Sequence, residues 1–110
     1  MTLPRLTHLQ FLVLNALERA DIPGRDVRAQ LREAGVRQSG PAFYQMMAGL
    51  EDKGYVAGRY EQQVVDGQIF RERHYKILAS GRKVWTDTRD FYRRALAPHA
   101  GLLGPRRRAT

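Results

Sequence analysis

Between Ser39 and Arg82 the chain runs through an order of signals that few folds accommodate. An apolar-striped segment of helical period ends at Gly54. Two alternating segments then meet at Asp66-Gly67, and a second helical segment opens on the basic pair Arg82-Lys83. Asp-Gly between alternating runs is the strongest short-range hairpin signal. A short helix followed at once by an arginine-bearing hairpin is what a winged helix-turn-helix needs, with the helix in the major groove of a duplex and the hairpin on the neighbouring backbone. The expected fold class is mainly α with a small β-hairpin, a winged helix-turn-helix with a C-terminal dimerisation helix.

The 110 residues leave room for one domain and one core. An apolar share of 43% is ordinary for a folded chain. No run of about 18 apolar residues exists to span a membrane, and Met1-Thr2-Leu3-Pro4-Arg5 lacks the apolar stretch of a secretory signal. The absence of cysteine excludes disulfides, thiolate chemistry and cysteine-ligated metals. A soluble, cytoplasmic protein is the expectation.

Charge is more telling in its distribution than in its total of +8. Residues 1–70 hold eight Lys/Arg and eight Asp/Glu, whereas residues 71–94 hold eight basic and three acidic. Arg106, Arg107 and Arg108 complete the excess. Sixteen of the nineteen basic residues are arginine, the side chain best shaped for bidentate phosphate contact. A solvated surface accounts for such charge in many proteins. Its coincidence with a hairpin favours polyanion binding.

Along the chain, Thr7 and Gln10 have capping-box spacing, and Leu6 and Phe11 have the spacing of a hydrophobic staple. A first helix running to about Arg19 is apolar on two sides, through Leu9, Leu12, Val13, Ala16 and Leu17 and through Phe11 and Leu14. Asp21-Ile22-Pro23-Gly24 reads as a turn. A second helix over Arg25–Ala34 turns Val27 and Leu31 inward and stops at Gly35. Its Arg25, Arg28 and Arg32 are interleaved with Asp26 and Glu33, which favours a solvated face, with phosphate contact by Arg25 or Arg28 as the alternative. Ser39 is the N-cap of a third helix, 39–53, with Phe43, Met46, Met47 and Leu50 on one face. Pro41, Gln45, Ala48 and Asp52 lie opposite, flanked by Ala42 and Tyr44. The wing covers 55–77, with strands at Tyr55–Gln63 and Ile69–Ile77. A last helix runs from Ser80 or Gly81 to Leu96 with the stripe Val84, Trp85, Thr88, Phe91, Tyr92 and Ala95. The expected organisation is a DNA-binding domain at 6–78, a dimerisation helix at 79–97, and a disordered basic tail at 98–110.

Three stretches carry a family resemblance. They are Leu6-Thr7-His8-Leu9-Gln10-Phe11-Leu12-Val13-Leu14, then Phe43-Tyr44-Gln45 through Leu50-Glu51-Asp52-Lys53-Gly54-Tyr55-Val56, and Arg71-Glu72-Arg73-His74-Tyr75-Lys76-Ile77 through Gly81-Arg82. In order and spacing they resemble the PadR-like transcriptional regulators. The resemblance implies a sequence-specific repressor, dimeric through a C-terminal helix packed with the partner's first helix. It further implies that an aromatic effector is a candidate ligand between such helices, with Trp85 and Tyr92 as candidate contacts. Gln45, Met47 and Gly49 depart from the family's usual Pro, Leu and Arg. Leu78 replaces its usual Thr, which leaves Ser80 as the candidate cap of the last helix.

The expected DNA contacts are Arg37, Gln38, Ser39, Pro41, Ala42, Tyr44 and Gln45 around the third helix, with Arg59, Arg71 and Arg73 on the wing. Gln45 offers an amide for adenine. Tyr44 either touches DNA or packs on the second helix, and Arg71, Arg73 and Arg59 either touch phosphate or the minor groove or form a charge ladder with Glu61 and Glu72. The expected dimer interface is Leu9, Val13, Val84, Trp85, Thr88, Phe91 and Tyr92, a stripe too apolar to be left in water. The expected partners are double-stranded DNA and a second copy, with no membrane and no cofactor. His8, His74 and His99 are scattered, no metal-spaced cluster or phosphate loop appears, and an enzyme is not expected. The rival reading is a winged-helix module that binds a protein rather than DNA.

Overall fold

Thr7 starts the first helix through the capping box that its spacing predicts. Its hydroxyl accepts from the Gln10 N–H at 3.1 Å, and Gln10 Oε1 accepts from the Thr7 N–H at 3.0 Å. The computed structural model describes residues 3–98, so the basic tail and His99 lie outside the described residues. Helix α1 is His8–Leu17, α2 is Gly24–Glu33, α3 is Gly40–Asp52 and α4 is Ala79–Leu96. Between Ala34 and Ser39 the chain turns to form the helix-turn-helix. Both α2 and α3 end on a glycine of positive φ, Gly35 at 87° and Gly54 at 77°. The Val36 N–H bonds back to Leu31 O and the Tyr55 N–H to Leu50 O, closing the two helix ends in the same way.

The hairpin comprises β2, Val56–Val65, and β3, Gln68–Ile77, joined through Asp66 at φ 52° and Gly67 at φ 78°. Two consecutive positive-φ residues make the tight turn whose twist suits paired strands. That turn sets the register, with Tyr60 opposite Arg73 and Gln62 opposite Arg71.

The segment expected to be a turn is instead a strand, β1, Ile22–Pro23, antiparallel to β3 with Ile22 opposite Tyr75. The sheet therefore has three strands in the order β1-β3-β2. A two-residue strand has no alternation to detect, and a proline is admissible there because β1 is an edge.

One core collects Val13, Leu14 and Leu17 of α1, Val27 and Leu31 of α2, Phe43, Met47 and Leu50 of α3, Val56 and Tyr75 of the sheet, and Trp85 of α4. Val13 and Thr88, expected at a dimer interface, are covered inside their own chain, and Trp85 is only 9% exposed. The cause is that α4 folds back along α1. The Trp85 indole N–H donates to Asn15 Oδ1 at 3.2 Å, and the Arg82 guanidinium donates to the Glu18 carbonyl at 3.3 Å. The second apolar side of α1 is thus met in part by α4 of the same molecule. Leu9, Val84 and Phe91 stay partly open, while Tyr92 and Leu96 are exposed at 41% and 82%. Ser80 does not cap α4; its hydroxyl donates to Gly54 O, tying the start of α4 to the end of α3.

A candidate nucleic-acid interface between the third helix and the wing

Helix α3 buries Phe43, Met47 and Leu50 and leaves Pro41, Ala42, Gln45 and Ala48 exposed. The Ser39 hydroxyl accepts from the Ala42 N–H at 3.2 Å and so starts the helix. Arg37 is exposed in the preceding loop, whereas Gln38 turns its amide oxygen into the protein. The Gln38 carbonyl accepts from Arg28, an arginine of α2 thereby engaged within the chain. Tyr44 does both things left open for it. Its ring sits edge-on to Phe43 at 5.0 Å and lies beside Gly24 of α2, yet it remains 40% exposed.

The wing and α3 enclose a cleft of about 530 Å³, lined by Tyr44, Ala48 and Glu51 on one wall and by Tyr60, Arg71, Arg73 and Tyr75 on the other. Alternation along β2 and β3 sends Tyr60, Arg71 and Arg73 to this same face. The Arg71 guanidinium is exposed and stacks 4.7 Å from the Tyr60 ring centre. Such stacking holds a planar cation in place while its N–H edges stay open.

Arg73 and Arg59, both expected to contact DNA, are engaged elsewhere. Arg73 Nη2 bonds Glu51 Oε1 at 2.8 Å and is three-quarters covered. Arg59 points to the opposite face of the hairpin, where it pairs with Glu61 and, at 3.7 Å, with Asp21. That face also holds the His74 imidazole near Glu61 and Glu72, and Glu72 is bridged at 2.7 Å by Arg25, the pair also bordering the cleft. The charge ladder accounts for Arg59. Of the residues named on the cleft walls, Ala48, Glu51, Tyr60 and Tyr75 were not among the contacts expected from sequence. The two-residue turn makes Tyr60 legible through its pairing opposite Arg73, but nothing local marks Glu51.

Tyr75 forms the floor of this wall. Burial pushes its phenol up to about 12, with Arg73 pulling the other way. A folded-state pKa above the unfolded value means that the neutral phenol stabilises the fold below about pH 10, and that this contribution is lost as pH rises toward 12. Urea unfolding at stepped pH is expected to show this alkaline loss of stability, and Tyr75→Phe is expected to shrink it. An undiminished loss in the variant would assign it to other groups.

Among the described residues no group of three His, Asp or Glu is placed to hold a metal, and no helix is long and apolar enough to cross a membrane. No family sequence model matches the chain, and no curated protein matches it by sequence. Solved structures do match. A PadR family transcription regulator from Clostridium difficile superposes with a TM-score of 0.69 at 19% identity, covering 81% of this chain and 91% of its own. A PadR family transcriptional regulator from Eggerthella lenta gives 0.63 at 20%, covering 88% and 82%. Bacillus subtilis PadR, solved in complex with operator DNA, gives 0.61 at 18%, covering 86% of this chain and 49% of its own. These neighbours are transcription regulators, and the likeness shows that the chain has the winged-helix fold of PadR-family proteins.

Proposed function

We propose that this protein is a sequence-specific double-stranded DNA-binding transcriptional regulator of the PadR type, acting as a repressor and as a homodimer. Helix α3 enters the major groove and reads bases through Gln45, with Pro41, Ala42 and Tyr44 against the groove wall. The wing meets the adjacent backbone or minor groove through Arg71, and Arg37 reaches a phosphate beside the helix start. One observation carries this reading. Tyr44 and Ala48 of α3 line one cleft with Arg71, which is held on a tyrosine and bonds no carboxylate among the described residues. Bacillus subtilis PadR, which shares the fold, was solved with operator DNA.

The dimer uses what α4 leaves open, namely Val84, Phe91, Tyr92 and Leu96, together with Leu9 of α1. Two-fold pairing sets the reading helices about 34 Å apart, one turn of DNA. A groove of about 580 Å³ along Phe11, Asn15, Trp85, Arg89 and Arg93 is where an aromatic effector would enter between subunits.

A protein-binding module remains the second reading, favoured by the hairpin tip. There Val64, Val65, Ile69 and Phe70 are exposed, and no Lys or Arg occurs between Tyr60 and Arg71. Salt-titrated binding to random and genomic duplex pools separates the two. Arg71→Ala is expected to weaken all duplexes alike and to reduce the log–log salt slope by about 0.9. Gln45→Ala is expected to keep the slope and lose about 1–3 kcal/mol of discrimination between preferred and other bases. Binding without salt dependence, or no duplex retained from either pool, rejects the DNA reading.

A further inference from the structure

Glu51 stands at the junction of the two parts that the proposed function needs in register. It lies in the last turn of α3, yet its Oε1 accepts both from the Gly58 N–H of β2 at 3.2 Å and from Arg73 Nη2 of β3 at 2.8 Å. Among the described residues these are the hydrogen bonds and ion pairs by which α3 side chains reach the wing. The guanidinium of Arg73 lies 4.9 Å from the Tyr60 ring centre and 5.8 Å from that of Tyr75. It can lie flat across β2 because residue 58 is glycine: a Cβ there would stand 2.8 Å from two of its nitrogens. Arg71 shares the Tyr60 platform.

We infer that Glu51, with Arg73 and Gly58, is a latch that sets the angle of the wing to the reading helix and so places Arg71. Glu51 and Arg73 are positioning residues rather than DNA contacts. The inference rests on the proposed function and makes it specific. Burial disfavours the charge on Arg73, but the hydrogen bond and field of Glu51, with Tyr75 and Tyr60, outweigh it and raise its pKa, so the guanidinium stays charged.

The sign of one substitution is diagnostic. Removing a carboxylate beside a polyanion strengthens binding when only bulk electrostatics act. A latch reverses that sign. Full-length Glu51→Gln, Arg71→Ala and their double variant are titrated with salt against a duplex selected by the unmodified protein. Glu51→Gln is expected to bind roughly tenfold more weakly, the scale of one lost charged hydrogen bond, with the slope reduced by about 0.9 as Arg71 loses its phosphate. Adding Arg71→Ala to it is expected to change little, since the two act on one contact. Glu51→Asp keeps the charge but shortens the reach, and is expected to behave like Glu51→Gln.

Tighter binding with a steeper slope in Glu51→Gln would mean that a freed Arg73 contacts phosphate, and would overturn the inference. A full additional Arg71 effect in the double variant would do the same. Without DNA, amide hydrogen exchange around Gly58 is expected to speed up in Glu51→Gln, and unchanged exchange refutes the latch. If the unmodified protein binds no duplex, the functional reading falls, while the exchange result still decides whether Glu51 holds the wing.

Discussion

Phe43→Ala is expected to lower the unfolding free energy by about 3–5 kcal/mol, the range for removing a large aromatic from a core. The ring is fully buried at the centre of the helix-turn-helix. It contacts Tyr44 edge-on and lies under the Arg28 guanidinium at 5.9 Å, so α2 and α3 both close upon it. Domains of this size hold only about 5–15 kcal/mol in total. The variant is therefore expected to be partly unfolded at physiological temperature and to lose binding through population rather than through any contact. Urea denaturation followed by circular dichroism measures the change directly. A loss under about 1 kcal/mol would show that α2 and α3 are not held together through this side chain.

Gly81→Ala is expected to cost about 3 kcal/mol, toward the upper end for overpacking. Glycine to alanine inside a helix ordinarily gains about 1 kcal/mol, so the sign depends on what the added methyl meets. At residue 81 it would stand 2.1 Å from the Tyr55 carbonyl oxygen and 2.9 Å from its carbon, both backbone atoms that cannot swing aside. The same Tyr55 oxygen accepts from the Leu78 N–H at 2.9 Å, so relieving the clash also disturbs the start of α4. Gly49→Ala, in α3 with nothing within 4 Å of the new methyl, serves as the contrast and is expected to stabilise by about 1 kcal/mol. Melting temperatures shifted in opposite directions are the expected result. A shift in the same direction for both would remove the argument for close packing of α4 on the α3–β2 joint.

Much of the fold was legible because it is written in short-range chemistry. Thr7 with Gln10, Ser39, Gly35, Gly54 and Asp66-Gly67 each act on backbone groups within a few residues, and each boundary falls within about two residues of where they place it. The face of α3 was equally legible, since Phe43, Met47 and Leu50 recur at helical spacing and are all buried. The short β1 strand and the Glu51 bonds were not. The β1 strand and the Glu51–Arg73 bond depend on partners more than twenty residues away, and the Glu51–Gly58 bond forms only once that packing is in place.

Sequence alone determined that the chain forms a helix-turn-helix with a two-residue-turn hairpin, and that arginines collect on the second strand. Tertiary structure decided which of those arginines are free. Arg71 and Arg73 are two residues apart, of one type and on one face, and nothing in composition or alternation separates them. Glu51 does, because packing α3 against the sheet brings one carboxylate within 2.8 Å of Arg73, while Arg71 remains on its tyrosine. The apolar stripe of α4 divides in the same way: Trp85 and Thr88 are spent on the molecule's own core and Tyr92 is left to solvent. Local propensity acts through the backbone, whereas charge pairing and burial depend on which distant surfaces the core draws together.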